Sequence, residues 1–203
     1  MPDHLTTAAP GAAPDSPSDR APAAASDGTR TPPRHESRLD TALRCLLARC
    51  RVGALGTVDA HGLPSVSMVP YAIEPYRGWL VLHVSGLAAH TSHLQRQPMA
   101  SLMVMQPEDP LAPVHALPRV TLAVRAHTPR PDTPEHQRCL AAYLARFALA
   151  QPMTELPDFR VVTLEPLGAR HVAGFGAARS LDATQLLALL QVPPPEVPAA
   201  PHV

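Results

Sequence analysis

The sequence predicts a mainly β fold with peripheral helices, its strands antiparallel and closing, or nearly closing, into a barrel. Three observations predict it. Six or seven short β-type runs can be counted, most are joined over hairpin distances, and helical patterns interrupt them only at the start, after the third strand and after the fifth. A parallel sheet would need a helix at nearly every crossing, whereas closing an antiparallel sheet removes its exposed edges.

The elements follow in chain order. Ser37 with Asp40 has the spacing of a capping box, and Leu39, Leu43, Leu46, Leu47 and Cys50 recur on one helical face behind it. Val52 to Val58 is strand-like, and Asp59-Ala60-His61-Gly62 turns it into a second run, Leu63 to Ile73, with Gly where a positive φ is needed. Trp79 to Ser85 is a third strand after the break at Glu74-Pro75 and Gly78; Leu87 to Gln97 is helical until Pro98 stops it. Ala100 to Met105 and Val120 to Ala126 are strands on either side of a Pro-studded loop, Pro107 to Pro118. Thr133 caps a helix with Pro134 at its first position and Cys139, Leu140, Tyr143, Leu144 and Phe147 along its apolar stripe. Phe159 to Leu164 and Arg170 to Val172 read as two closing strands around a turn at Pro166-Leu167-Gly168, and Asp182 caps a last short helix.

Composition narrows the function. The chain of 203 residues holds one domain, expected over residues 36–191, between Pro- and Ala-rich stretches at 1–35 and 192–203 that have too little apolar surface to order and read as disordered tails. No apolar run reaches the roughly 18 residues of a membrane span, and the N-terminus lacks a signal pattern, so a cytoplasmic protein without membrane contact is expected. Seventeen basic residues balance 17 acidic ones with no like-charged block, which argues against a nucleic-acid partner. Every one of those bases is Arg. Without Lys there is no Schiff-base chemistry and no phosphate loop ending in Gly-Lys, so an anionic ligand must be held by Arg, His, hydroxyls or backbone N–H groups. Cys45, Cys50 and Cys139 have no Cys-x-x-Cys spacing and read as small buried hydrophobes.

His90 and His93 lie three apart on the helix after the third strand, and with His83 they offer three imidazoles, yet no acidic residue stands beside them in a zinc-type arrangement. None of Ser65, Ser67, Ser85 and Ser101 sits in a nucleophile elbow, which removes the hydrolase reading. Gly174-Phe175-Gly176 reads as a tight turn at a strand end rather than a dinucleotide loop. The Met99 to Met105 run adds apolar surface beyond one small barrel core, and a homodimer is expected to cover it.

The order of the motifs carries more than any one of them. Gly56-Thr57-Val58-Asp59-Ala60-His61-Gly62-Leu63-Pro64, Ser67-Met68-Val69-Pro70-Tyr71, Leu87-Ala88-Ala89-His90-Thr91-Ser92-His93-Leu94, Arg119-Val120-Thr121-Leu122, Asp158-Phe159 and Gly174-Phe175-Gly176-Ala177-Ala178 follow one another along residues 38–182. This series resembles the haem-utilisation branch of the pyridoxamine-phosphate-oxidase-like, FMN-binding split-barrel superfamily. The resemblance implies a six-stranded antiparallel split β-barrel that dimerises around FMN. Ser67, Met68, Val69 and Pro70 would pass the flavin ring; His83, Ser85, His90, Thr91 and Arg119 would face its phosphate at a helix N-terminus. Relatives carry basic residues where this chain has Ser92–His93 and Met99, which weakens that phosphate site. Haem is the other implied cofactor, with His171 as an axial ligand and Arg125 or Arg179 near a propionate. The function expected first is a flavin-dependent oxidoreductase acting on a small-molecule substrate. The alternatives are a haem-binding module for iron supply without flavin, and a cofactor-free dimeric scaffold.

Overall fold

The structure, a computed structural model, describes residues 37–192. The tails expected over 1–35 and 192–203 therefore lie, but for Val192, outside the described residues.

Helix α1 (Arg38–Arg49) begins at the expected capping box: Asp40 N–H donates to Ser37 Oγ at 3.1 Å while Ser37 N–H donates to the Asp40 carboxylate at 3.2 Å. Two helix-start donors are thus satisfied by one reciprocal pair. Strands β1 (Val52–Val58) and β2 (Pro64–Pro70) form the predicted hairpin. Its turn is built by Asp59, whose carboxylate accepts from the N–H groups of His61 and Leu63, both at 2.8 Å, and by Gly62 at φ 81°.

Past Tyr71 the chain of β2 runs straight into β3 (Ala72–Glu74), which pairs with β4 (Trp79–Ser85). Helix α2 (Ala89–Arg96), β5 (Met99–Met105), β6 (Arg119–His127), α3 (Pro134–Arg146), β7 (Phe159–Gly174), β8 (Ala177–Asp182) and α4 (Ala183–Leu190) complete the order. The expected helix from Leu87 starts two residues later, because Thr91 Oγ1 and the Ala88 N–H both bond back to the Ser85 carbonyl in a tight turn.

All strand pairs are antiparallel, in the order β2-β1-β5-β6-β7-β4-β3 with β8 on β7. The two ends of that path, β2 and β3, are one continuous stretch of chain, so the sheet returns on itself as a barrel of six staves. The split falls beside β2: β3 is bonded to β4, but β2 has β1 on one side and, among the described residues, no bonded strand on the other. Tyr71 sits at this seam, fully buried, its hydroxyl donating to the Leu47 carbonyl at 2.9 Å.

Two expectations are corrected. The turn at Pro166-Leu167-Gly168 does not exist: β7 runs unbroken, pairing Val124 with Pro166 and Ala123 with Gly168, so that Leu167 is an extra residue in a bulge. Proline has no N–H for the ladder, and the strand absorbs it by bulging rather than reversing. Beyond Gly176 (φ 71°) the chain forms β8, a strand the sequence reading did not assign. Asp182 then caps α4 as expected, with a second reciprocal box to Gln185.

Alternation along the strands fills the interior with Leu55, Val69, Leu80, Leu82, Leu102, Leu122, Val124 and Leu164, and α1 and α4 add Leu43, Leu47 and Leu186. Each such side chain contributes about 1.5–3 kcal/mol of burial. A second cluster lies outside the barrel, where Cys139 and Tyr143 of α3 cover Ala72, Val81 and Val161. No helix among the described residues is long and apolar enough to cross a membrane.

Candidate functional site

The residues expected around a flavin are spread over both ends of the barrel. Val69 points inward and is 1% exposed, so only its backbone could meet a ligand; Met68 points outward at 69% exposure, and Ser67 and Pro70 are half-buried. Ser85 Oγ donates to the Asp158 carboxylate at 2.6 Å and accepts from the Leu87 N–H at 3.1 Å, while Thr91 Oγ1 donates to the Ser85 carbonyl at 2.7 Å. Both hydroxyls that were to face a phosphate are engaged, and one of them by an anion.

His83 is taken up under α3, its ring 5.1 Å from that of Phe159 and 5.7 Å from that of Tyr143. Burial, and secondarily the nearby His136, lowers its pKa below 6.5. His90 is lowered likewise, by burial and then by His93, and its Nε2 is buried without a partner among the described residues. The sequence reading missed Thr57, buried on β1, whose Oγ1 meets His93 Nδ1 at 3.0 Å. The three imidazoles do not converge, and no group of three His, Cys, Asp or Glu among the described residues could hold a metal ion.

Within one protomer, Arg119 meets β7 far along the strand from the start of α2. Ser85 lies opposite Phe159 of β7, whereas Arg119 lies opposite Val172. At about 3.3 Å per residue, that is roughly 40 Å of strand. Arg125 is also placed elsewhere, 3.6 Å from Glu165.

The far end of β7 brings other groups together. His171 stands between Val120 of β6 and Arg179 of β8, is 1% exposed, and has neither ring nitrogen hydrogen-bonded among the described residues. An uncompensated buried imidazole is costly and calls for a reason. Burial first, and then the Arg179 guanidinium, push its pKa below 6.5; Asp40 acts the other way. Arg179 is itself tied to Asp40 Oδ1 at 2.6 Å, which fixes α1 over this end of the sheet.

His171 lines a cleft of about 520 Å³ between α1, the end of β5 and the end of β7. Its walls are largely apolar, with Leu46, Val52, Met105 and Pro118, and Arg49 stands among them. A second cavity of about 400 Å³ lies on the other flank of α1, but no imidazole or thiol lines it. Its Arg146 is spent on the carbonyls of Leu47, Ala48 and Cys50.

Comparison with known proteins agrees with the fold. Residues 39–173 match the family described as pyridoxamine 5'-phosphate oxidase. The heme oxygenase HutZ of Vibrio cholerae is 28% identical over 155 residues, covering 76% of this chain and 87% of that protein. The crystal structure of HutZ, there called a heme storage protein, superposes with a TM-score of 0.59 at 25% identity over 64% of this chain and 91% of that one. A chloroplastic heme oxygenase of Arabidopsis thaliana, HOZ, is 31% identical over 141 residues, 67% of this chain but 40% of that protein. A heme binding protein from Mycobacterium smegmatis superposes with a TM-score of 0.67 at 32% identity, covering 75% of this chain and 61% of that one. The chain therefore spans less than two thirds of the last two.

Proposed function

Because the chain belongs to the pyridoxamine 5'-phosphate oxidase family, on its haem-utilisation branch, we propose that it binds haem non-covalently in the cleft between α1 and β7, with the His171 imidazole as iron ligand. The observation that carries this is a histidine only 1% exposed in the wall of an apolar cleft, its two ring nitrogens without a hydrogen-bond partner among the described residues. Iron in a porphyrin needs few protein donors, because the ring supplies four of its own; a bare ion would need more than this site gathers.

The chain's own residues serve such a ligand in three ways. Burial beside Arg179 keeps the His171 imidazole neutral at pH 7, so a nitrogen lone pair is free for iron. Leu46, Val52, Met105 and Pro118 keep water from the ring, and Arg49 offers a cation to a propionate. Bound haem supplies redox chemistry at its iron. Without a Cys-x-x-Cys-His motif it would be held exchangeably.

A homodimer fits the same reading. The register places Val66 and Met68 of β2, Val52, Ala54, Gly56 and Val58 of β1, and Met103 of β5 on one outward surface. Val66 and Met68 are 73% and 69% exposed there, and a second copy of the chain would cover them.

A flavin reading keeps two observations: the free edge of β2 and the unpartnered Nε2 of His90. The engaged Ser85 and Thr91 hydroxyls weigh against it. Titrating the cofactor-free protein with haem, followed by absorbance, and with FMN, followed by flavin fluorescence, separates the two. Saturable haem uptake with little flavin binding is expected; tight FMN binding without haem uptake would overturn the proposal.

A further inference from the structure

On the flank of α1 away from His171, α1 and α3 face one another across the apolar groove of about 400 Å³. Arg44, Leu47 and Ala48 of the first helix and Ala142, Ala145 and Arg146 of the second each recur at the spacing of one helical face. The three alanines are too short to fill the gap. Ala72, Ile73 and Pro75 form its floor, and α4 closes one end with Leu189 and Leu190. Val192, the last described residue, stands on the rim at 46% exposure. The Gln191 side-chain amide donates to the Tyr76 carbonyl at 3.2 Å, which fixes this end of α4 beside Pro75. The chain therefore leaves α4 at the Pro75 end of the floor.

The next residues are Pro193-Pro194-Pro195-Glu196-Val197-Pro198. We propose that this stretch occupies the groove of its own chain. Its length suits the floor: Ala72 to Pro75 spans about 10 Å of strand, and Pro193 to Glu196 at about 3.1 Å per residue covers about 12 Å. Its backbone suits the walls. Both are helices whose N–H and C=O groups are largely used internally, and four of the six residues are prolines, which bring no N–H that burial would leave without a partner. The polyproline conformation is also one that a free chain already favours, so little entropy is lost on docking. Its charge suits the rim. Glu196 is the one ionised residue of the stretch, and the described lining holds two guanidinium groups and no carboxylate. The bonds from Arg146 to carbonyls leave its positive charge in place. The stretch brings too little apolar surface to fold by itself, and the groove supplies it. Docked there, it braces α1 from the side opposite the His171 cleft. The inference does not depend on the haem reading.

The test labels the methyl groups of Ala, Val and Leu with carbon-13 in the full chain and records nuclear Overhauser contacts, with Val197→Ile assigning the Val197 signals. Val197 should contact methyl groups of the walls, Leu47, Ala48, Ala142 or Ala145, and an isotope-filtered sample of mixed labelled and unlabelled chains should show those contacts to lie within one chain. Glu196→Lys should weaken them at least threefold. Ala145→Trp, which fills the groove from an exposed position on α3, should abolish them. The dye anilinonaphthalene sulfonate should bind the wild type poorly and Glu196→Lys at least fivefold more tightly, because the groove is then vacated. No contact between Val197 and either wall overturns the proposal. Contacts that pass between chains also overturn it and assign the groove to a second copy; saturable dye binding by the wild type, unchanged in Glu196→Lys, overturns it in favour of a small apolar ligand. Glu196→Lys alters neither wall, so it decides the matter even where Ala145→Trp disturbs α3.

Discussion

Arg146 shows how much a single side chain settles here. One of its guanidinium nitrogens donates to the carbonyls of Leu47, Ala48 and Cys50 at 2.9, 3.0 and 2.7 Å, and the group lies 4.9 Å from the ring of Tyr71. These carbonyls end α1 and have no helical partner among the described residues, so Arg146 closes that helix from α3, 96 or more residues away. Arg146→Met keeps the bulk and removes the donors. It should lower the unfolding free energy by about 2–3 kcal/mol in urea titration; a loss below about 0.5 kcal/mol would mean that water caps the helix equally well. Nothing in the local sequence marks this role, because its partners are distant. The same holds for Thr57 and His93, and for His171 and the face of α1, which the sequence presents as unrelated positions. His171 could be named as a candidate from its place in a motif series, but its cleft could not be seen.

At the level of elements, what local chemistry specifies was legible. The caps at Ser37, Thr133 and Asp182 and the Asp59-Gly62 turn each form within a few residues, and all stand where the sequence puts them. β7 was misread because Pro166 and Gly168 are turn residues in isolation, while the pairing with β6 on one side is what keeps the chain extended through them. The expected phosphate residues show the same limit: Ser85 pairs at Phe159 of β7 and Arg119 at Val172, a separation along the strand that the motif series does not reveal. The sheet face formed by β2, β1 and β5 carries its own expectation. Met68→Glu puts a charge at the middle of the exposed stripe on the register between Ala54 and the free edge. If a second copy covers this face as proposed, sedimentation should then show self-association weakened at least tenfold, without loss of β-sheet signal; an unchanged species would contradict a dimer through this face.

For the molecule as a whole, the barrel closes because β2 and β3 are one chain bonded to opposite ends of the sheet path, and α1 is held across one end by Arg146 and by the Arg179–Asp40 pair. Its acid response should come first from histidine. His83, His90 and His171 all have folded-state pKa values below 6.5, chiefly from burial, so the unfolded chain binds more protons than the native one as pH falls through that value. Stability is therefore fully present above about pH 6.5 and declines as the pH drops toward 5. The carboxylates act lower still. Asp59, held by the Leu63 and His61 N–H groups, and Asp40, where bonds from Arg179 and Ser37 outweigh burial, lie below 3.8. Urea midpoints of the cofactor-free protein should fall between pH 7.5 and 5.5, and His83→Gln should flatten that slope; equal midpoints across the range would contradict the assignment.

The measurement that bears most directly on the haem site is an equilibrium haem titration of the wild type beside His171→Ala, with His90→Ala as the control at the opposite end of the barrel. The account predicts that His171→Ala weakens haem binding at least tenfold, while His90→Ala leaves it intact. Unchanged binding in His171→Ala, or a loss only in His90→Ala, would contradict it.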